Sequence, residues 1–300
     1  MLVMLKIANK AITLMSRRGN SAKNVYLCSV GNDYSMNVRG RLMTFDSPRV
    51  MGVMNVTPDS FYAASRKQTD EEVVRRTAEM IAQGVDIIDV GACSTRPGAA
   101  HASEEEEMTR LRHGLAAVRN VAPEAVLSVD TFRPDVARMA VEEYGVDIIN
   151  DVSGGCEDSS ATPPMFAMAA RLGVPYILMS SRPTVEAIME EFSHSVARLR
   201  SLGVKDIILD PGFGFGKTLE QNYAVLSRMD VLGEMGLPLL VGMSRKTMVW
   251  KPLCISPEQA LNGTTVLNTL ALCHGASILR VHDVREAVET IRIVRLYCES

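Results

Sequence analysis

The chain lacks three features that would each place it in a broad class of proteins. Its 300 residues have a formal net charge of only -3, so we expect no basic surface for nucleic acid. Its six cysteines include no C-x-x-C pair, which argues against a zinc site or a disulfide framework and favours the cytoplasm. No apolar stretch reaches the roughly 18 to 20 residues that span a bilayer. We therefore expect a small-molecule partner, with no nucleic acid and no membrane.

Eight short apolar runs recur from residue 50 onward, and each ends in a polar, charged or glycine-bearing cluster. Each interval between them has room for one helix, which is the repeating unit of a parallel sheet. Eight such units close into a TIM (β/α)8 barrel, an α/β fold whose chemistry collects at the carboxyl ends of the strands. The runs span residues 50–56, 85–91, 125–131, 146–152, 174–180, 206–212, 238–244 and 276–283.

The first 35 residues differ from the rest, because they hold five basic residues and no acidic residue before Asp33. One interpretation is an amphipathic transit peptide. The other is that Met36 is the working start and opens a short hairpin, with its turn at Arg39 and Gly40, ahead of the first barrel strand. We divide the chain into a basic extension at residues 1–35 and a barrel domain at residues 36–300.

Four cations fall at predicted strand ends: Arg96, Lys246, Arg280 and His282. An isolated Asp or Ser at such a place is explained equally well as a helix N-cap, but that explanation does not cover cations. A cluster of fixed donors is the arrangement that holds phosphate or pyrophosphate. We expect these side chains to form one rim of the barrel mouth.

Three further polar residues, Asp130, Asn150 and Asp210, end central strands of the predicted barrel. Side chains in that position line a pocket deeper than the rim. Carboxylates and a carboxamide offer both acceptors and donors, so they suit a flat polar heterocycle.

The glycine-rich segment at residues 212–218, GFGFGKT, resembles a phosphate-binding loop without matching one. The Walker A pattern needs four residues between its first glycine and Gly-Lys-Thr, and Gly212 leaves only three before Gly216. We interpret the segment as a close turn past a ligand, with Phe213 or Phe215 offering an aromatic face.

Two groups of residues, Asn55 with Asp59 and the glutamates at residues 104–107, have both a metal-binding and a structural interpretation. Asn55 and Asp59 suit a magnesium ion shared with pyrophosphate, yet residues 58–60 are also typical of an ordinary turn. The glutamates at residues 104–107 suit the first turn of a helix, where they complement the macrodipole and face solvent. Segments 57–68 and 92–102 are long enough to act as lids over the mouth.

Seven ordered motifs, between about residues 37 and 298, resemble those of the dihydropteroate synthase family. They lie at residues 51–61, 94–98, 128–131, 149–151, 210–217, 244–246 and 280–283. The resemblance implies a magnesium-assisted transferase of folate synthesis in a TIM barrel. It would join 6-hydroxymethyl-7,8-dihydropterin pyrophosphate to 4-aminobenzoate, and sulfonamides would compete for the aminobenzoate place.

The resemblance also implies a role for individual residues. Asp130, Lys246 and Arg280 would be catalytic, and Asn55 would serve the metal. The pterin would lie against Asp130, Asn150, Met179, Asp210, Phe215 and Lys246. The pyrophosphate would meet Asn55, Arg96, Arg280 and His282. The aminobenzoate would lie near Thr95, Pro97 and Ser244.

Two departures from the family pattern leave alternatives open. Ser180 stands where the family often has His, and residues 61–65 differ from the usual acidic, glycine-rich stretch. A non-catalytic pterin-binding paralogue is one alternative. A methyltransferase from methyltetrahydrofolate to a corrinoid protein is another, although it would not need the pyrophosphate cations. The apolar segment at residues 257–272 favours a homodimer.

Overall fold

The computed structural model describes residues 32–56, 66–93, 102–155 and 163–300. Strands β1 and β2 form an antiparallel hairpin, and β3 to β10 are the parallel strands of a barrel. Each predicted apolar run coincides with one barrel strand to within a few residues, which confirms the predicted TIM barrel. The strands are β1 (Asn32–Val38), β2 (Arg41–Phe45), β3 (Arg49–Asn55), β4 (Ile87–Gly91), β5 (Val126–Asp130), β6 (Ile148–Asp151), β7 (Tyr176–Met179), β8 (Ile207–Asp210), β9 (Leu240–Val241) and β10 (Ile278–Val281).

The sheet order is β8-β7-β6-β5-β4-β3-β10-β9, and a bridge between Leu209 and Leu239 joins the two ends of the ring. Helices follow the strands along the chain. Two 3-10 turns, Met229–Met235 and Pro257–Gln259, flank β9 on either side. The α-helices are α1 (Arg66–Gln83), α2 (Glu104–Val121), α3 (Pro134–Tyr144), α4 (Pro164–Leu172), α5 (Val185–Ser201), α6 (Leu219–Leu226), α7 (Thr247–Trp250), α8 (Leu261–Cys273) and α9 (Val284–Glu299).

The hairpin closes the base of the barrel. Its turn is at Arg39 and Gly40, as predicted, and both have positive φ, 51° and 74°. This geometry is typical of a tight two-residue hairpin turn. Met36, Val38 and Phe45 are buried against the lowest inward-facing side chains of the barrel strands. β1 begins at Asn32, upstream of Met36.

The barrel interior follows the two-residue period of a strand. Its lowest layer is apolar and consists of Met51, Ile87, Ile148, Ile177, Ile208, Leu240 and Ile278. The residue two positions further along each strand faces the same way, one layer nearer the mouth. That layer is largely polar and includes Asp89, Ser128, Asn150, Met179, Asp210 and Arg280. Because of the two-residue period, a polar layer of side chains lies directly above the apolar layer, on the side of the mouth.

Two expectations need correction. Glu107 does not face solvent with its neighbours in the first turn of α2, because its side chain is fully buried. Cys93, Cys254 and Cys273 are free thiols, but Cys298 is in a disulfide, so the argument against disulfides has an exception.

No helix in the part of the chain that the structure describes is long and apolar enough to cross a membrane.

Candidate functional site

Arg280 joins three strands at the centre of the barrel mouth. Its Nε donates to Asp89 Oδ2 and its Nη2 to Asp130 Oδ2, both at 2.6 Å. Asn150 Nδ2 donates to the same Asp89 oxygen at 3.0 Å. Residues far apart in the sequence, from β4, β5, β6 and β10, therefore form one network. The predicted residues Asp130, Asn150 and Arg280 lie together in it, with Asp89 at its centre. Arg280 is therefore part of the pocket and not of a separate rim with Lys246 and His282, because it pairs with the buried carboxylates of β4 and β5.

Two oxygens of this network have no hydrogen-bond partner among the described residues. They are Asp89 Oδ1 and Asp130 Oδ1, and both are buried. Buried polar atoms in folded proteins are almost always hydrogen-bonded, so an unpaired acceptor needs an explanation. A ligand that carries N–H groups would supply the missing donors.

Burial shifts the ionisation of the network. It raises the pKa of Asp130 to about 7, a rise that Arg280 opposes and that Asp89 and Glu107 reinforce. Burial alone would lower the pKa of Arg280, but the carboxylates of Asp89 and Asp130 raise it overall. The arginine therefore stays charged, while Asp130 changes its charge near neutral pH.

Asp210 and Lys246 form a second pair, beside the glycine-rich loop. Asp210 Oδ1 accepts from Gly212 N at 2.8 Å, and Lys246 Nζ donates to Phe213 O at 2.6 Å. The same Nζ lies 4.5 Å from the centre of the Phe215 ring, a cation–π distance. Burial raises the pKa of Asp210 and lowers that of Lys246 to about 8. The loop thus holds the predicted lysine by a carbonyl and an aromatic face.

The glycine-rich loop is itself fixed by Lys217. Its Nζ donates to Ser180 O at 3.1 Å, Gly212 O at 3.2 Å and Phe215 O at 3.4 Å. Gly212 has a φ of 67°, and a Cβ there would lie 2.2 Å from Ser180 O, so only glycine fits. Burial lowers the pKa of Lys217 to about 8. The predicted close turn is present, but the role of Lys217 was missed.

The motifs at residues 244–246 and 280–283 are joined at the rim. Ser244 Oγ accepts from His282 N at 3.2 Å and lies 3.1 Å from His282 Nδ1. Arg245 donates to both oxygens of Asp283, at 2.9 Å and 2.7 Å. The predicted pair Ser244 and His282 is therefore in contact, held by an adjacent bidentate ion pair.

Ser180, the departure from the family pattern, is hydrogen-bonded. Its Oγ donates to Glu191, and the other oxygen of Glu191 accepts from Arg182 Nε at 3.0 Å. Arg182 and Glu191 line a cavity of about 340 Å³ together with Met179. A serine, a glutamate and an arginine thus occupy the place that a histidine often takes.

Other predicted residues lie outside this central group or outside the described residues. Asn55 is the last residue of β3, at the mouth, and is exposed. Within the described ranges, no group of three or more His, Cys, Asp and Glu side chains is placed to hold a metal ion. A magnesium ion fits Asn55 only if substrate phosphate and water complete its shell, which is its usual habit. Outside the described residues lie Asp59, Thr95, Arg96, Pro97 and most of both predicted lids.

Comparison with known proteins agrees with this geometry. A family model described as pterin binding enzyme matches residues 51–282. Dihydropteroate synthase of Escherichia coli (strain K12) is 38% identical over 273 residues, which cover 85% of this chain and 94% of that protein.

Two solved structures of dihydropteroate synthases are also similar to the chain. The Yersinia pestis enzyme in a sulfonamide drug complex has a TM-score of 0.79 and 35% identity, covering 89% of this chain and 100% of that one. The Xanthomonas albilineans enzyme with 4-aminobenzoic acid has a TM-score of 0.79 and 33% identity, covering 89% and 98%.

Proposed function

Because the chain belongs to the dihydropteroate synthase family of pterin binding enzymes, we propose that it joins 6-hydroxymethyl-7,8-dihydropterin pyrophosphate to 4-aminobenzoate. The products are 7,8-dihydropteroate and pyrophosphate. The observation that carries the proposal is the buried network of Asp89, Asp130, Asn150 and Arg280, with its two unpaired carboxylate oxygens. It offers acceptors to a heterocycle that is rich in N–H groups, next to a cation for a phosphate.

The pterin ring takes the deepest place in this proposal. Asp130, Asn150 and Asp210 meet its polar edge, and Lys246 donates to it from the glycine-rich loop. Met179 is buried and Phe215 half-buried, so they supply apolar contact at its face. Support comes from the shared location of these side chains at the carboxyl ends of their strands.

The pyrophosphate lies above the pterin, against Arg280 and His282, with Arg96 as a further cation. Arg280 already donates to two carboxylates at 2.6 Å, and its pKa stays high, so it is a permanent positive charge at this level. Asn55 is the residue that would hold magnesium, and the ion when bound would neutralise charge on the leaving pyrophosphate.

The aminobenzoate takes the outermost place, near Thr95, Pro97 and Ser244. Ser244 is anchored to His282, whose backbone oxygen accepts from Arg76 on α1. In this place the carboxylate of the aminobenzoate would meet the hydroxyl of Ser244 and the backbone N–H groups at the start of the short helix α7.

The reaction is a substitution at the exocyclic CH₂ of the pterin. The amine nitrogen forms a bond to that carbon, the carbon–oxygen bond breaks, and its electron pair leaves with pyrophosphate. The attacking nitrogen then loses a proton. Ionised Asp130 stabilises the positive charge that grows on the pterin, and Arg280 stabilises the charge on the leaving group. This scheme needs no protein nucleophile.

Turnover by the purified protein tests the proposal. We expect pyrophosphate release from the dihydropterin pyrophosphate, with magnesium, to depend on 4-aminobenzoate and to match the dihydropteroate formed. Pterin binding without turnover would favour a non-catalytic paralogue and direct attention to Ser180. Methyl transfer from methyltetrahydrofolate to a corrinoid protein, with no pyrophosphate release, would favour the methyltransferase.

Assembly as a homodimer is part of the proposal. Large apolar side chains are exposed on the two last helices, Val266 and Leu270 on α8 and Ile293, Leu296 and Tyr297 on α9. Exposed apolar surface on adjacent helices is typical of subunit contacts. Sedimentation equilibrium of the wild type and of a Leu296→Glu variant would test this surface, and identical masses would exclude it.

The remaining assignments concern domains and location. We propose that residues 36–300 form the catalytic domain behind an extension at residues 1–35, and that the enzyme works in the cytoplasm. The free and exposed thiol of Cys254 suits a reducing compartment, whereas the disulfide at Cys298 does not. Cell fractionation, together with a count of free thiols in the isolated protein, would decide between a reducing and an oxidising compartment.

A further inference from the structure

A buried carboxylate lies behind the strand end that carries Asp130. Glu107 is in the first turn of α2 and is fully buried, whereas the three preceding glutamates are exposed. A buried carboxylate is costly unless it is hydrogen-bonded or paired. The partners of Glu107 therefore indicate its role.

Two side chains satisfy the two oxygens of Glu107. Thr131 Oγ1 donates to Oε1 at 2.7 Å, and Arg133 Nη1 donates to Oε2. Arg133 also donates from Nη2 to Ala102 O at 2.7 Å. Glu107 thus connects α2 to the residues that directly follow β5.

Thr131 is the connection between Glu107 and the mouth of the barrel. It follows Asp130 in the chain, and its N–H donates to Asn150 O at 3.1 Å. Its hydroxyl accepts from Arg133 N at 3.2 Å while it donates to Glu107. One threonine therefore fixes the ends of β5 and β6, from which two residues of the central network project.

Asp130 has little freedom to absorb a displacement of this support. A Cβ built on Gly91 would lie 3.2 Å from Asp130 Cβ, and Arg280 Nη2 holds the carboxylate from another side. Charge acts as well as contact. Burial is the main cause of the raised pKa of Asp130; Asp89 on β4 and Glu107 on α2 add to it, while Arg280 and Lys246 oppose it.

We infer that Glu107 is a positioning residue, which fixes Asp130 through Thr131 and adds its negative charge to the field at that carboxylate. The inference rests on the proposed reaction, in which ionised Asp130 stabilises the transition state. No contact between Glu107 and substrate is required.

Glu107→Gln tests the charge, because it keeps the shape and one acceptor of the side chain. Activity rises with pH as Asp130 ionises, and loss of a neighbouring negative charge makes that ionisation easier. We expect the acid limb of the kcat/KM profile to shift to lower pH in Glu107→Gln. Glu105→Gln removes the same charge from an exposed position in the same turn, and its profile should match the wild type.

Thr131→Val tests the contact and leaves the charge in place. We expect kcat/KM to fall about tenfold, since small misplacements of reacting groups reduce rates strongly, with the acid limb unmoved. Thr131→Ser retains the hydroxyl and should restore most of the rate. A variant as active as the wild type would overturn the positioning role.

An unshifted acid limb in folded Glu107→Gln would reduce Glu107 to a packing residue. Failure of the proposed function is a separate outcome, recognised by absence of turnover in the wild type itself. In that event, carboxyl carbon NMR still follows the titration of Asp130 in wild type and Glu107→Gln. Coinciding titration curves there would equally overturn the inference.

Discussion

The two ends of the barrel use aspartate in opposite ways. At the base, Asp86, Asp147 and Asp206 each directly precede a strand. Asp86 and Asp206 accept hydrogen bonds at both oxygens, whereas Asp147 accepts them at Oδ2 and has only an ion pair with Arg39 at Oδ1. At the mouth, Asp89 and Asp130 each keep one buried oxygen without a partner among the described residues. The base therefore pairs its carboxylates with cations and donors of the hairpin and its surroundings, whereas under the proposed function the free acceptors at the mouth would take a ligand.

The partners at the base come largely from the hairpin and its surroundings. Arg39 Nε lies 2.9 Å from Asp147 Oδ1, and Asn37 N donates to Asp206 Oδ2 at 3.1 Å. Arg49 and the backbone of Val50 satisfy the third aspartate at 3.2 Å and 2.8 Å. In a TIM barrel the active site lies at the opposite end, so these contacts should affect stability without affecting turnover.

Removal of the central cation should have the largest effect. In Arg280→Ala we expect kcat/KM to fall about 10²- to 10³-fold, because charge on the leaving group loses its fixed counter-ion. Affinity for the pterin pyrophosphate, measured by calorimetry, should fall far more than affinity for the pterin alone. Arg292→Ala removes an exposed cation from α9 and should change neither. Equal losses for both ligands would contradict the assignment of Arg280 to the pyrophosphate.

An aspartate at the base should show the converse pattern. Asp147→Asn removes the charge of a buried carboxylate that pairs with Arg119 and with the half-exposed Arg39, so we expect a loss of about 1 to 3 kcal/mol in the free energy of unfolding. Urea titration measures that loss. Steady-state kinetics on the folded variant should give an unchanged kcat/KM, and a drop of tenfold or more would abolish the distinction between the two ends.

Lys217 tests whether the mouth depends on its loop support. Lys217→Met removes two hydrogen bonds within the glycine-rich loop and one that ties the loop to Ser180 O after β7, so Phe215 and Lys246 lose their fixed positions. We expect KM for the pterin pyrophosphate to rise about tenfold. Lys251→Met is the matched control, because Lys251 is exposed and directly follows α7. An unchanged KM would show that the glycine-rich loop keeps its conformation without Lys217.

The smallest effect concerns the start of the hairpin. A chain that begins at Met36 loses Tyr34, whose hydroxyl donates to Asp206 Oδ1 at 3.3 Å and accepts from Ile207 N at 3.2 Å. Compared with a chain that begins at Asn32, we expect about 1 kcal/mol less stability and the same activity. Tyr34→Phe in the longer chain isolates the hydrogen bonds. Loss of activity on truncation would show that the hairpin matters to the mouth.

Sequence reasoning succeeded where the signal is local. The apolar runs predicted every barrel strand, since a buried strand is a short apolar stretch with a polar end. Asp130, Asn150 and Arg280 were found because the ends of parallel strands meet at one edge. The role of Asp89 was missed, because it lies two residues before the end of β4, whereas Asp130 is the last residue of β5.

The four glutamates of α2 were all predicted to face solvent, and for Glu107 this prediction was wrong. All four complement the helix macrodipole equally well, and Ser103 and Glu106 form a capping box at its start. However, Glu107 lies four residues before the buried Leu111, on the stripe of α2 that packs against the barrel. Helical spacing thus contained a signal that it was buried, although its partners Thr131 and Arg133 come from another part of the chain.

The hairpin plug has a consequence for the timing of events at the site. Because Met36, Val38 and Phe45 fill the base, the pocket in the described structure opens toward the mouth. A ligand at the floor of the pocket must then bind before a ligand at the level above it, and it can leave only after that ligand has left. A dead-end inhibitor that binds at the aminobenzoate level would therefore trap the pterin beneath it, and its affinity should increase as the floor becomes saturated.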